Sequence, residues 1–383
     1  MACHIPSLPQ ELVDHIIDLC ADDKRTARSL ALTCHAWTHR SSAHLLRAVS
    51  ILTTQLAAFL ADAARAPRLG THVAELVVSQ PRHGHDGVDL TPAVPALLRA
   101  LPGLRSLALF GDRISVRAGL APGPGAGSHR RDLALLRLSR VHVEALPELL
   151  QLFGHVDTLD LDHAYVQPSQ ASVPQSGRLA VDELCFDGSI VEFEALRASL
   201  DKSSMKSLSL KLGYHFRVDT AAINLFLESV GQNLEHFRFE LPLDGWVMSG
   251  PDRSDLPSLK DLRNLRTIEL VSPRRAIRRR GTTVSTGLWS NTLAALPHVP
   301  PAVSHVHLYA NLYHVAPALL SECDLSTLET GLAHCTALRT VEITLLTERD
   351  GQPVRVSEEQ AAEVQKAARA RMGGSFARLL CFS

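Results

Sequence analysis

The chain has 383 residues, 45% hydrophobic and 21% charged, with 39 Lys and Arg against 40 Asp and Glu for a formal charge of −1. That composition excludes a disordered or collagen-like chain, and the near-zero charge argues against a protein that works through bulk attraction to nucleic acid or to an anionic membrane. The length suffices for two or three domains, or for one small domain joined to a longer array.

The seven cysteines (Cys3, Cys20, Cys34, Cys185, Cys323, Cys335 and Cys381) are odd in number, scattered, and form no CxxC pair. That usage predicts reduced thiols rather than a disulfide framework. The opening MACHIPSLPQELVDHIIDLC carries acids within its apolar stretch and no basic leader, so no signal peptide is expected. No run of about 18 apolar residues is available to span a bilayer. The expected location is cytoplasmic, nuclear or both, with no membrane partner.

Chain order begins with a helical segment. Leu12, Ile16 and Leu19, with Val13, Ile17 and Cys20, follow helical spacing behind Pro9, whose missing N–H costs nothing in a first turn. Asp22 and Asp23 suit a second helix start, followed by Leu30, Leu32 and Cys34, and a third helix carries Trp37, Leu45 and Leu46. About forty residues cannot enclose all of these apolar side chains, so a surplus stripe is left to meet another surface. Two uses are open: a helix-in-groove contact to a partner, or a cap on the edge of whatever follows.

The pattern LPQEL, I-I-x-L, an acidic break, S-L-A-L-T-C-x-x-W and L-L-x-x-V, over residues 6–49, is similar to the F-box, most closely that of fungal F-box proteins. The resemblance implies a three-helix module that docks on a Skp-type adaptor, and through it a cullin, within an SCF ubiquitin ligase. It assigns adaptor contacts to Leu8, Pro9, Leu12, Ile16, Ile17, Leu30, Leu32, Cys34 and Trp37. The residue after the motif's Cys is usually basic, and here it is His35.

A linker helix is expected near residues 54–66. Beyond it, the pattern apolar-x-x-apolar-x-apolar recurs as VAELVV, LRSLAL, LALLRL, VDTLDL, VDELCF, MKSLSL, LEHFRF, LRTIEL, VSHVHL and LRTVEI. Successive fourth positions lie between 23 (136 to 159) and 38 (268 to 306) residues apart. Each block ends in period-two alternation, the signature of a strand with one buried face, and helical spacing occupies many of the intervals. These blocks resemble irregular leucine-rich repeats. The turn asparagine of that repeat has a counterpart only at Asn311, with Asp112 as a partial substitute.

Two insertions interrupt the blocks, GLAPGPGAGSHRR (119–131) and PRRAIRRRGTTVSTG (273–287). The second clusters Arg274, Arg275, Arg278, Arg279 and Arg280, which could be an import signal, an anionic docking patch or a solvated loop. Near the end, SEEQ (357–360) is a capping box opening a helix to Met372.

No GxSxG, HExxH or GxxxxGK[ST] occurs, and His142-x-Glu144 lacks the Cys pair of a zinc deaminase. His83, His85, Asp86 and Asp89 have a metal-like composition but no second ligand set at fixed spacing. The chain is therefore expected to be non-catalytic, without cofactor or metal, and without nucleic-acid partner. The strand alternation turns Thr158, Asp160, Asp162, Glu183 and Asp187 away from the core, followed by His236, Arg238, Glu240, Glu269, His305, His307 and Tyr309. This face is the candidate surface for an unidentified protein substrate, its acids favouring a basic segment.

The expected fold class is α/β. It places a three-helix F-box at 1–50, a linker helix at 51–70, and a leucine-rich-repeat-like solenoid at 71–350 with parallel strands inside and helices and loops outside. A capping helix and tail follow at 351–383. The expected function is substrate recognition in an SCF-type ligase, the alternative being a leucine-rich-repeat scaffold with no ligase role.

Overall fold

The computed structural model describes residues 8–20, 22–81, 87–117, 119, 130–144, 146–167, 178–212, 220–240, 257–271, 278–279, 282–283, 295–311, 325–349, 352–372 and 376–382. His83, His85, Asp86, Arg274, Arg275, Arg280 and most of the loop 119–131 lie outside them. The chain divides into two compact units, Met1–Ser169 and Gln170–Ser383.

In the first unit, helices α1 (Gln10–Leu19), α2 (Lys24–Ala31) and α3 (His35–Arg47) precede strand β1 (Ala48–Leu52). The backbone leaves α3 directly in extended conformation at Ala48. Next come α4 (Leu56–Arg65), the short α5 (Pro67–Gly70), β2 (Glu75–Ser79), β3 (Val88–Asp89), α6 (Ala93–Ala100), β4 (Ser106–Phe110) and β5 (Ile114–Val116). Then follow β6 (Arg131–Ser139), β7 (His142–Val143), α7 (Leu146–Leu150), β8 (Phe153–Asp162) and β9 (Tyr165–Val166). Strands β1, β2, β4, β6 and β8 form a parallel sheet in that order, and the short β3, β5, β7 and β9 form a second one.

The register explains the core. Leu76, Leu107, Leu136 and Leu159 stand opposite one another, as do Val78, Leu109, Leu138 and Leu161, and all eight are buried. Period-two side chains in matched register put every second residue into one continuous apolar row. Where β6 and β8 end, Arg140 and His163 take left-handed backbone angles (φ 57° and 51°) that turn the chain out of the sheet.

The second unit carries β10 (Leu179–Gly188), α8 (Ile190–Arg197), β11 (Leu200–Asp201), β12 (Ser207–Leu212), α9 (Thr220–Val230), β13 (His236–Glu240) and β14 (Thr267–Val271). A hairpin of β15 (Arg278–Arg279) and β16 (Thr282–Thr283) and then β17 (His305–Asn311) come next. The last elements are α10 (Leu325–Leu332), β18 (Thr340–Arg349), β19 (Gln352–Arg355), α11 (Glu358–Arg371), α12 (Phe376–Leu379) and β20 (Leu380–Phe382). Strands β10, β12, β13, β14, β17 and β18 are parallel, with Leu184, Leu208, Phe237, Ile268, Val306 and Val341 forming one buried row. Phe186, Leu210, Phe239, Leu270, Leu308 and Ile343 form the next.

The expected fold class does not hold. The described residues form a mixed α/β fold in which large sheets carry dispersed helices of unequal length, not a three-helix bundle followed by a regular tandem solenoid. Three findings overturn that expectation. The N-terminal helices fully bury only Val13, Ile17, Ala27 and Ser41, too little for a separate core, and they run straight into β1 of the first sheet. The connections between neighbouring strands follow no common plan. They are two helices between β1 and β2, a three-residue strand between β4 and β6, and no helix among the described residues between β13 and β14. The sheet of the second unit also ends in a mixed edge, where β18 takes β19 antiparallel on residues 346–349 and β20 parallel on 341–343.

The helix expected as a terminal cap is α11, and it packs on β20 rather than lying across β18: Gln365 and Arg369 both donate to the Leu380 carbonyl. Its start has the expected capping box, Ser357 Oγ accepting from the Gln360 amide. Among the described residues no helix is long and apolar enough to cross a membrane.

Candidate functional site

Helix α1 has two apolar faces. Val13 and Ile17 point inward, and Ile17 is 0% exposed. Leu12 (50% exposed), Ile16 and Leu19 (72%) recur at helical spacing on an adjoining face turned to solvent, and Leu8 stands exposed just before the helix. In the turn between α2 and α3, Leu32 is 81% exposed and Cys34 is exposed too. Large apolar groups left this open on so short a segment mark an interaction surface more often than chance.

Polar contacts fix which face of α1 is inner. Asp18, near the helix end, receives a bidentate hydrogen bond from Arg40 on α3, with Nε to Oδ1 and Nη2 to Oδ2 both at 2.7 Å. His44 lies 2.7 Å from the same carboxylate. Hydrogen bonding from Arg40 and then from His44 holds the Asp18 carboxyl well below the usual carboxylate range. Asp23 caps α2, its carboxylate accepting from the Arg25 amide and the Thr26 hydroxyl. Thr38 of α3 donates to the carbonyls of Ala31 and Cys34, closing the turn.

Of the residues assigned to adaptor contact, Leu8, Pro9, Leu12, Ile16, Leu32 and Cys34 are exposed, while Leu30 and Trp37 are half-buried. Ile17 is a correction: it belongs to the core under α1 and is closed to any partner. Leu19 belongs to the exposed row, although the motif did not assign it. Its position seven residues after Leu12 was the signal for it.

The candidate substrate face is polar in both units but differs from the acidic surface expected. In the first unit, Thr158, Asp160 and Asp162 are half-buried along β8. Arg137, opposite Asp160 in register, donates to it at 2.6 Å, and Ser139 donates to Asp162 at 2.8 Å. In the second unit, Asp187 forms an ion pair with Lys211, its register partner on β12. Asp160 and Asp187 are thus each matched by a base on the neighbouring strand, and the field favouring a basic segment is compensated there. Glu183 accepts from the Cys185 thiol at 3.8 Å, and Glu240 is buried rather than on the surface.

Further along, the register places Arg238, Glu269, His307 and Glu342 in one row across β13, β14, β17 and β18. Arg238 donates to Glu269 at 2.9 Å and lies over the Tyr309 ring, 5.1 Å from its centroid. The His307 and Tyr309 rings stack at 4.1 Å, and His307 Nε2 sits 2.7 Å from Thr344 Oγ1 and 3.9 Å from Glu342. Burial pushes the His307 pKa down against the opposing pull of Glu342 and Glu269, and burial raises that of Tyr309. His236 and His305 stand exposed at the strand starts. Arg238 and Tyr309 therefore meet through a stack that their places in separate blocks did not reveal.

Comparison with family models and with curated proteins finds no match to this chain.

Proposed function

We propose that the exposed stripe of α1 docks on a Skp-type adaptor and that the chain is the substrate-recognition subunit of an SCF-type ubiquitin ligase. The observation that carries this reading is the outward row Leu8, Leu12, Ile16 and Leu19, set against an inner row that already satisfies the helix's own packing. Four side chains with about half their surface open, at about 1 kcal/mol each on burial, offer roughly 4 kcal/mol before association costs. The resemblance of Leu8, Leu12 and Ile16 to positions of the F-box pattern supports a Skp-type adaptor as that partner.

In this role the chain breaks no bonds. It holds a protein beside a ubiquitin-charged enzyme and raises its effective concentration there. Each unit offers its own polar row as a substrate surface, Asp160 and Asp162 in the first and Arg238 and Tyr309 in the second, and the site of action is cytoplasmic or nuclear.

The test is co-expression with a Skp-type adaptor and size-exclusion chromatography of the wild type and of a Leu12→Asp/Ile16→Asp variant. A stoichiometric complex that the variant loses, while keeping the wild-type helix content, is the expected result. Folded wild-type chain that never co-elutes would sink the ligase reading and leave a protein-interaction module without ligase role.

A further inference from the structure

Three bases of the second unit gather around β11 without a carboxylate to match them among the described residues. The register that pairs Leu179 of β10 with Leu200 of β11 brings the Leu179 amide to the Ser199 carbonyl at 2.9 Å, so Arg178 and Ser199 stand side by side where the two strands begin. Arg197 lies in the last turn of α8, two residues before Ser199, and Lys202 follows β11 directly. With about 4.8 Å between strands and about 3.4 Å per residue along them, the Cα atoms of Arg178 and Lys202 lie within roughly 12 Å, a gap that two long basic side chains can close. All three bases are half-buried.

None of the three has an ion-pair partner among the described residues, whereas Arg137, Lys211 and Arg238 all do. The acids nearest in sequence are engaged elsewhere or turned to solvent. Asp201 accepts from the Ser203 amide and hydroxyl at 3.0 and 2.8 Å, Glu192 accepts from the Ser189 amide at 2.7 Å, and Glu194 is exposed. The Lys202 ammonium lies instead over the Phe226 ring of α9, 5.6 Å from its centroid. Burial first, and then the charges of Arg197 and Arg178, push its pKa down, so the cations act on one another. Two buried donors beside them also lack an acceptor: Arg178 Nε and the hydroxyl of Ser199, a residue 1% exposed. Clustered cations and unmet donors carry a standing cost that a multiply charged, acceptor-only ligand removes.

We infer that Arg178, Arg197 and Lys202, with the Ser199 hydroxyl, form a binding site for a phosphate group, free or in a small phosphate monoester. Such a group brings up to two negative charges near neutral pH and three or more oxygens that accept from several donors at once. Guanidinium groups match pairs of those oxygens, and the ammonium adds a point charge. The inference stands independently of the ligase reading.

The test is calorimetric titration of the full chain, in buffer free of phosphate and sulfate, with inorganic phosphate, with O-phosphoserine and with serine. One saturable site is expected for the two phosphates and none for serine. Tighter binding of phosphoserine assigns an ester, and equal or tighter binding of inorganic phosphate assigns the free anion. Affinity for the better of the two should fall at least tenfold in Arg178→Gln and in Lys202→Gln, fall at least fivefold in Arg197→Gln, and stay unchanged in Arg263→Gln, an exposed base elsewhere in the unit. Circular dichroism checks that each variant folds. Should one fail, phosphate-dependent protection of residues 197–202 from hydrogen exchange in the wild type takes its place. No saturable phosphate binding, unchanged affinity in all three variants, or no protection of that segment would overturn the inference.

Discussion

Ile16 and Ile17 are neighbours in sequence, and their burial assigns them opposite duties. Ile17 is 0% exposed beneath α1, so Ile17→Ala removes a side chain's worth of transfer energy and leaves a cavity, costing about 3 kcal/mol. Ile16 is 37% exposed on the outer row. Ile16→Ala loses about 1 kcal/mol of partial burial and regains about 0.4 kcal/mol from alanine's helix propensity. The assay is hydrogen–deuterium exchange of peptides covering residues 10–47, which reads local opening. Ile17→Ala should speed exchange there roughly a hundredfold, and Ile16→Ala no more than about threefold, since each 1.4 kcal/mol is a factor of ten. Adaptor capture should run the other way at matched folded fraction, with Ile16→Ala weakening it and Ile17→Ala leaving it intact. Equal acceleration in both variants would refute the orientation of α1 and with it the outward row.

Other expectations follow from the polar contacts. Asp18 has its pKa lowered by Arg40 and His44, so the stability it adds is present above its unfolded value and lost as pH falls through the folded one. Thermal melts of Asp18→Asn should therefore lie below wild type at pH 7 and converge with it in strong acid. Salt should shrink the gap, because the pair is exposed. For His307, a pKa lowered by burial means that the unfolded chain takes up the proton first as pH falls below the ordinary histidine value of about 6.5. His307→Gln should flatten the loss of stability between neutral pH and pH 5, checked by urea titrations across that range. Ser357→Ala should cost about 1 kcal/mol through loss of the α11 cap, seen as faster hydrogen–deuterium exchange of peptides covering residues 357–371.

The strands were legible where alternation was long enough to speak. All ten hexad blocks end in β-structure because Leu, Val, Ile and Phe at every second position leave one face that must be buried. Two-residue strands such as Val88–Asp89 and His142–Val143 carry no period at all, so the second sheet of the first unit was invisible. Gln352–Arg355 contains Pro353 and lacks alternation, which hid the antiparallel edge. At the candidate site, spacing identified the apolar row of α1 but could not separate Ile16 from Ile17, since that depends on how α1 rolls against α3. Asp160 and Asp187 read as a negative face because their partners, Arg137 and Lys211, reach them only through register between strands.

The mixed edge of the second unit also orders events during synthesis. Strand β18 is made by residue 349, but the partner for residues 341–343 is β20, which arrives only at residues 380–382. At about 5–20 residues per second, the side of Val341–Ile343 that faces β20 waits on the order of seconds unpaired, while its other side already lies along β17. Over that interval the outer side of Val341–Ile343 offers donors and acceptors to any extended chain nearby. A chaperone working on this protein at the ribosome would therefore find its most useful target late, at an edge that the finished molecule no longer shows.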